Sequence, residues 1–121
     1  RVAVLEGHTE AVFVQTERPA PLAEVKAVLS QFGQALQALK LPSLPPQLIS
    51  VTDDPFRPQP RLDRDCGGGL TTVVGRLRPE TALGEHGVKY VLLSHNTKMG
   101  AAAGSILVAE QLYQAGYLKL V

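Results

Sequence analysis

Val88 to Gly104, "VKYVLLSHNTKMGAAAG", is the stretch on which the reading of this chain turns. Every residue from Val88 to Leu93 except Lys89 is apolar, the composition of a strand that lies inside a sheet. Polar side chains then appear at Ser94, His95, Asn96 and Thr97, and a run of small residues opens what reads as a helix. Asn96 or Thr97 is its expected N-cap and Gly116 its C-terminal stop. A strand that runs straight into a helix puts both kinds of element in one body.

Upstream, "LTTVVGRLRP" (Leu70–Pro79) is rich in Thr and Val and reads as a second strand, interrupted by Gly75; both strands are expected at the centre of one sheet. The N-terminal run "RVAVLEGHTEAVFV" (Arg1–Val14) reads as two strand segments with a bend at Gly7. From Leu22 the apolar positions Val25, Val28, Leu29, Phe32, Leu36 and Leu39 recur every three or four residues, one stripe of an amphipathic helix weakened at Gly33. Pro21 suits its first turn and Pro42 closes it. Between Leu41 and Pro60, "LPSLPPQLISVTDDPFRPQP", the prolines exclude a continuous helix or a central strand except for a short "LISV" piece. This order predicts a single α+β domain, residues 1–121, with a mixed, mainly antiparallel sheet and helices packed on one face. The other sheet face and the broad apolar circumference of the last helix then need a cover, from a partner subunit or a missing domain.

The 121 residues carry twelve Lys and Arg against eleven Asp and Glu, a formal charge of +1 with the basic residues scattered, so no footprint for nucleic acid stands out. One cysteine allows no internal disulfide, the histidines lack zinc spacing, and a reducing cytoplasm fits best. "GAAAGSILVA" falls well short of the roughly 20 residues that cross a bilayer, and no signal-peptide pattern opens the chain, so no membrane role is expected. The start on Arg1 inside a strand-like run reads as a fragment or a processed product.

Arg1 and His8 stand seven apart, on opposite faces of an unbroken strand. A positive φ or a bulge at Gly7 would reverse the phase and bring them to one side. There a guanidinium fork for a carboxylate would lie near an imidazole, the side chain suited to moving protons near neutral pH. The plainer reading of His8 is a surface turn residue. Cys66, in "LDRDCGGG", has Asp63 and Asp65 beside it, which oppose thiolate formation, so it reads as structural or incidental, and the three glycines after it supply flexibility rather than a phosphate loop. The small residues after Asn96 admit a backbone or a flat ligand, or serve helix-to-sheet packing. Arg76 and Arg78 read as a solvated strand face or an interface contact, and His86 and His95 as surface and strand-end residues.

Three segments taken together resemble a known family. "RVAVLEGHTEAV", "GRLRP" and "HNTKMGAAAGSILVAEQL", in this order, resemble the C-terminal part of the aspartate-semialdehyde dehydrogenases. Each segment alone is weak, and their order and separation carry the likeness; the proline-rich middle is the least similar. The resemblance implies a fold like the C-terminal domain of glyceraldehyde-3-phosphate dehydrogenase. It also implies a part in the NADP-dependent interconversion of aspartyl phosphate and aspartate semialdehyde, on the route to lysine, threonine and methionine. It assigns substrate-carboxylate binding to Arg1, acid/base work to His8 and a place beside the nicotinamide to Asn96, in a homodimer or homotetramer. The family's catalytic cysteine and NADP-binding domain have no counterpart in the 121 residues, so the chain alone is expected to be inactive. N-acetyl-glutamyl-phosphate reductase shares the architecture and is the second enzyme reading; a non-catalytic oligomerisation module is the third.

Overall fold

The computed structural model describes residues 3–118. A four-stranded sheet runs in the order β1-β4-β3-β2, from strands β1 (His8–Gln15), β2 (Ile49–Val51), β3 (Thr72–Pro79) and β4 (Gly87–Ser94). β4 is antiparallel to both of its neighbours, and β2 joins β3 in parallel. This is the α+β class expected, with the Leu70–Pro79 and Val88–His95 runs at its centre. β2 is the "LISV" piece, short and at the edge because prolines flank it and cannot donate to a ladder.

The core is small and sits on the two central strands: Val73, Val74, Val88 and Leu93, with Leu41 from the proline-rich segment. Leu93 is 1 % exposed, and a burial of that kind stabilises by about 1.5–3 kcal/mol. β3 and β4 fall out of step between Gly75 and Arg78, a bulge that leaves Arg76 with a φ of 57°. Among the described residues no helix is long and apolar enough to cross a membrane.

Helix α1 (Leu22–Gln31) packs against β2 and β3 but is shorter than its apolar stripe. It stops because Gly33 takes a left-handed conformation, φ 74°, where a Cβ would run into the Leu48 side chain. The stripe continues as a 3₁₀ segment, Gln34–Leu39, and Val28 and Phe32 are left exposed. A single turn, α2 (Pro60–Asp63), carries the buried Asp63. Burial works against that charge, yet the Arg57 guanidinium and the Gln59 N–H hold the carboxyl below the usual carboxylate range.

The last helix starts as a π turn, Lys98–Ala102, and continues as α3 (Ala103–Gln114) to a left-handed Gly116. Hydrogen bonds tie α3 to the Leu39–Ser43 segment, where Glu110 accepts from the Ser43 hydroxyl at 2.6 Å and Gln114 donates to the Leu39 carbonyl at 2.6 Å. Ile106, Val108, Leu112 and Tyr113 remain exposed, so the apolar circumference expected to be covered is bare in this chain.

Candidate active site

β4 ends at Ser94, opposite His8, and this register decides where the first residues go. N-terminal to His8 no strand stands opposite, so residues 3–7 form bends and irregular backbone rather than the strand expected there. His8 is therefore the first residue of β1 and not a kink between two strands. Gly7 has a φ of 103°, the positive value anticipated, and a Cβ on it would lie 3.2 Å from the Leu93 side chain. Both facts favour glycine, because other residues are strained in this region.

The Gly7 N–H donates to Asn96 Oδ1 at 2.9 Å across 89 residues of sequence, and more weakly to Glu6 Oε1 at 3.3 Å. A backbone N–H can only donate, so the Asn96 atom facing it is the carbonyl oxygen. Among the described residues nothing accepts from the amide N–H donors of Asn96, which lines a hollow of about 560 Å³ together with residues 4–9. His8 is exposed on that hollow, and among the described residues nothing hydrogen-bonds its ring. The two predicted residues thus share one opening. Arg1, the third, lies outside the described residues, as does Val2.

The helix start that positions Asn96 differs from expectation. Thr97 stands at the N-cap, one of the two positions expected, but its side chain caps nothing; the acceptor comes from His95, 6 % exposed, its Nδ1 accepting from the Lys98 N–H at 3.3 Å and lying 3.3 Å from the Thr97 hydroxyl. His95 is a strand-end residue, as expected, but a buried one. Asn96 is unavailable as a cap because its oxygen is committed to Gly7. The His95 ring edge rests on Gly69, where a Cβ would come within 3.1 Å of it and 2.5 Å of Lys98 Cδ. The glycines after Cys66 therefore supply left-handed backbone and close approach, not flexibility. Lys98 Nζ donates to Asp65 Oδ1 at 2.8 Å, and with help from Arg64 it holds the Asp65 carboxyl below its ordinary range, against a small desolvation cost. No sequence signal marks His95 for this part, because the residue types in "HNTK" that usually cap are Asn96 and Thr97.

Cys66 is half-buried outside this hollow. Among the described residues no three of His, Cys, Asp and Glu gather as a metal site. Another hollow of about 550 Å³ lies between the start of α1 and the β3 bulge, where Arg76 and Arg78 are exposed and Lys26 pairs with Asp53 at 2.5 Å. It holds none of the predicted site residues. An exposed imidazole beside free amide donors suits proton exchange with a bound polar substrate.

Comparison with known proteins bears on this geometry. The family described as semialdehyde dehydrogenase, dimerisation domain, matches residues 1–99. The aspartate-semialdehyde dehydrogenase of Archaeoglobus fulgidus is 49% identical over 110 residues, 91% of this chain and 30% of the relative. That of Aspergillus fumigatus is 46% identical over 121 residues, 98% of this chain and 33% of the relative. A crystal structure of the Candida albicans aspartate semialdehyde dehydrogenase with NADP superposes with a TM-score of 0.83 at 44% identity, covering 98% of this chain and 33% of that one. The chain thus spans about a third of the length of the relatives it matches.

Proposed function

Because the chain belongs to the semialdehyde dehydrogenase dimerisation-domain family, we propose that it is the C-terminal catalytic and dimerisation part of an aspartate-semialdehyde dehydrogenase, residues 1–121 forming one unit of it. The observation that carries the reading is the meeting of His8 and Asn96 at one hollow, with Gly7 turned between them. The relatives reported above act, by name, on aspartate semialdehyde, which favours that substrate over an N-acetylated glutamyl one. The interconversion of aldehyde and acyl phosphate needs a thiol, and Cys66 is not placed to supply it, so the nucleophile belongs to the two thirds of the enzyme that this chain does not cover.

NADP, when bound, accepts or returns the hydride. The residues here fit its nicotinamide end, since the free N–H donors of Asn96 match a carboxamide oxygen and the walls at Val4 and Leu5 are apolar. His8 takes the proton from the attacking thiol and serves the carbonyl oxygen as charge develops on it, the task of an exposed imidazole at a strand start. Arg1 holds the substrate carboxylate through a bidentate fork, which orients the aldehyde carbon for attack. Once the hydride has left, the acyl group is held on the thiol as a thioester; phosphate attacks its carbonyl carbon, forming the acyl phosphate and releasing the thiol. The exposed Phe13 on β1 and the bare faces of the sheet and α3 support a homodimer or homotetramer, and the lone cysteine supports a cytoplasmic location.

A chimera tests this: the chain replaces the matching third of the Archaeoglobus fulgidus relative, and NADP reduction is followed with aspartate semialdehyde. The expected result is reduction that requires both the semialdehyde and phosphate. A chimera that folds and dimerises without turnover, in an assay where the parent relative is active, would overturn the enzymatic reading in favour of an oligomerisation module.

A further inference from the structure

We propose that Asn96 is a positioning residue for His8, acting through the Gly7 N–H, and that His95 in turn fixes Asn96; this rests on the catalytic part given to His8 above. Three observations support it. The Gly7 N–H precedes His8 by one peptide plane, and its one short hydrogen bond is to Asn96 Oδ1 at 2.9 Å. Gly7 is in a left-handed conformation that an unanchored chain would readily leave, so that bond determines the direction in which His8 leaves the turn. Asn96 itself follows a residue that cannot shift easily: His95 is buried, caps the Lys98 amide and packs on Gly69.

The side chain of Asn96 is therefore divided between two tasks. Its oxygen accepts from the backbone beside His8, and its N–H donors are the part left for the hollow that Asn96 lines. A residue that only touched the nicotinamide would use the nitrogen, and the oxygen would be dispensable. The geometry separates the two roles, because aspartate keeps an acceptor for Gly7 and loses the donors, whereas alanine loses both.

The experiment uses the chimera described above and a double-mutant cycle between positions 96 and 8. With His8 present, Asn96→Ala is expected to lower kcat at least tenfold. In the His8→Ala background the same change is expected to lower the residual kcat less than twofold, because there is no imidazole left to position. Asn96→Asp is expected to lower kcat less than Asn96→Ala does, because it keeps the acceptor for Gly7, and to raise KM for NADP. Equal losses from Asn96→Ala in both backgrounds, or equal kcat losses from the alanine and aspartate variants, would overturn the proposal.

If His8→Ala leaves kcat unchanged, the part given to His8 fails, and the positioning claim is then judged by amide exchange. Slow exchange of the Gly7 N–H in the parent, accelerated at least tenfold in Asn96→Ala, supports the anchor; unchanged exchange overturns it. Exchange at Val73 and Leu93, in the core, is the control for general loosening and is expected to stay as it is.

Discussion

At the N-terminal end of β4, Glu80 accepts the Ala82 N–H at 3.1 Å and the Lys89 ammonium at 2.6 Å; at the C-terminal end, His95 accepts the Lys98 N–H at 3.3 Å and hands the chain to Asn96. Both ends bury a polar side chain, and both close a turn by giving an acceptor to a helical N–H that would otherwise lack one. They differ in what is left over. Glu80 spends its carboxylate on groups of its own turn and strand, and none of the hollows described above includes it. Among the described residues the N–H donors of Asn96 are uncommitted, and Asn96 lines a hollow shared with an exposed imidazole. Buried polar groups alone therefore do not mark a site in this molecule; polar capacity left uncommitted at an opening does.

The comparison is broken most severely by removing the imidazole. In the chimera, His8→Ala is expected to lower kcat by about 10²- to 10⁴-fold, the usual worth of a positioned acid or base. The denaturation midpoint is expected to stay put, since the side chain is exposed. Steady-state kinetics beside a urea titration separate the two. The reverse pattern is expected at the other end of the strand. A Cβ on Gly87 would run into the Glu80 carbonyl oxygen, a backbone atom with nowhere to go. Gly87→Ala should therefore cost about 3 kcal/mol of stability, read from the urea midpoint, while kcat of the folded fraction holds within about twofold.

How much of this was legible in the sequence follows the reach of each signal. The central strands were readable because their apolar runs need no partner to be recognised, and the edge position of "LISV" followed from the prolines around it. The split of the first helix was half visible: Gly33 was an evident weak point, but the Leu48 side chain that occupies the space of its missing Cβ comes from fifteen residues away. Residues 3–7 misread as strand because β propensity is local, whereas pairing depends on where β4 ends. At the site, His8 and Asn96 were found by resemblance. Their connection through Gly7 was not, because a hydrogen bond across 89 residues leaves no periodic trace. The part His95 plays is local but unmarked, since histidine is an uncommon cap and Asn96 and Thr97 are of the types that usually serve.

A smaller effect sharpens the contrast through acid. Lys89, and after it the Ala82 N–H, hold the Glu80 carboxyl below its ordinary range. The folded state therefore takes up that proton at lower pH than the unfolded chain does. The stability this contributes is fully present above the unfolded carboxylate value, near pH 4, and is lost as pH falls through the lower folded value. Asp63, held down by Arg57 and the Gln59 N–H against its own burial, adds to the same acid limb. Thermal melts from pH 7 to pH 2 should show Tm falling below about pH 4. In Glu80→Gln the melt at pH 7 should start lower and fall less steeply. An acid limb as steep in the variant as in the parent would assign the titration elsewhere.

The smallest effect is expected where the sequence offers the most reactive-looking atom. Cys66 is the one thiol of the chain, and the turn that carries it packs, through Gly69, against His95 at the C-terminal end of β4. Were this end of the strand a complete active site, that thiol would be its nucleophile. It does not line the hollow of His8 and Asn96, and the carboxylates of Asp63 and Asp65 flank it in the chain. Cys66→Ser in the chimera is thus expected to leave kcat and KM within about twofold and the urea midpoint within about 0.5 kcal/mol. A loss of kcat as large as that of His8→Ala would relocate the nucleophile into this chain, and the hollow at Gly7 would then have to be read as complete without the rest of the enzyme.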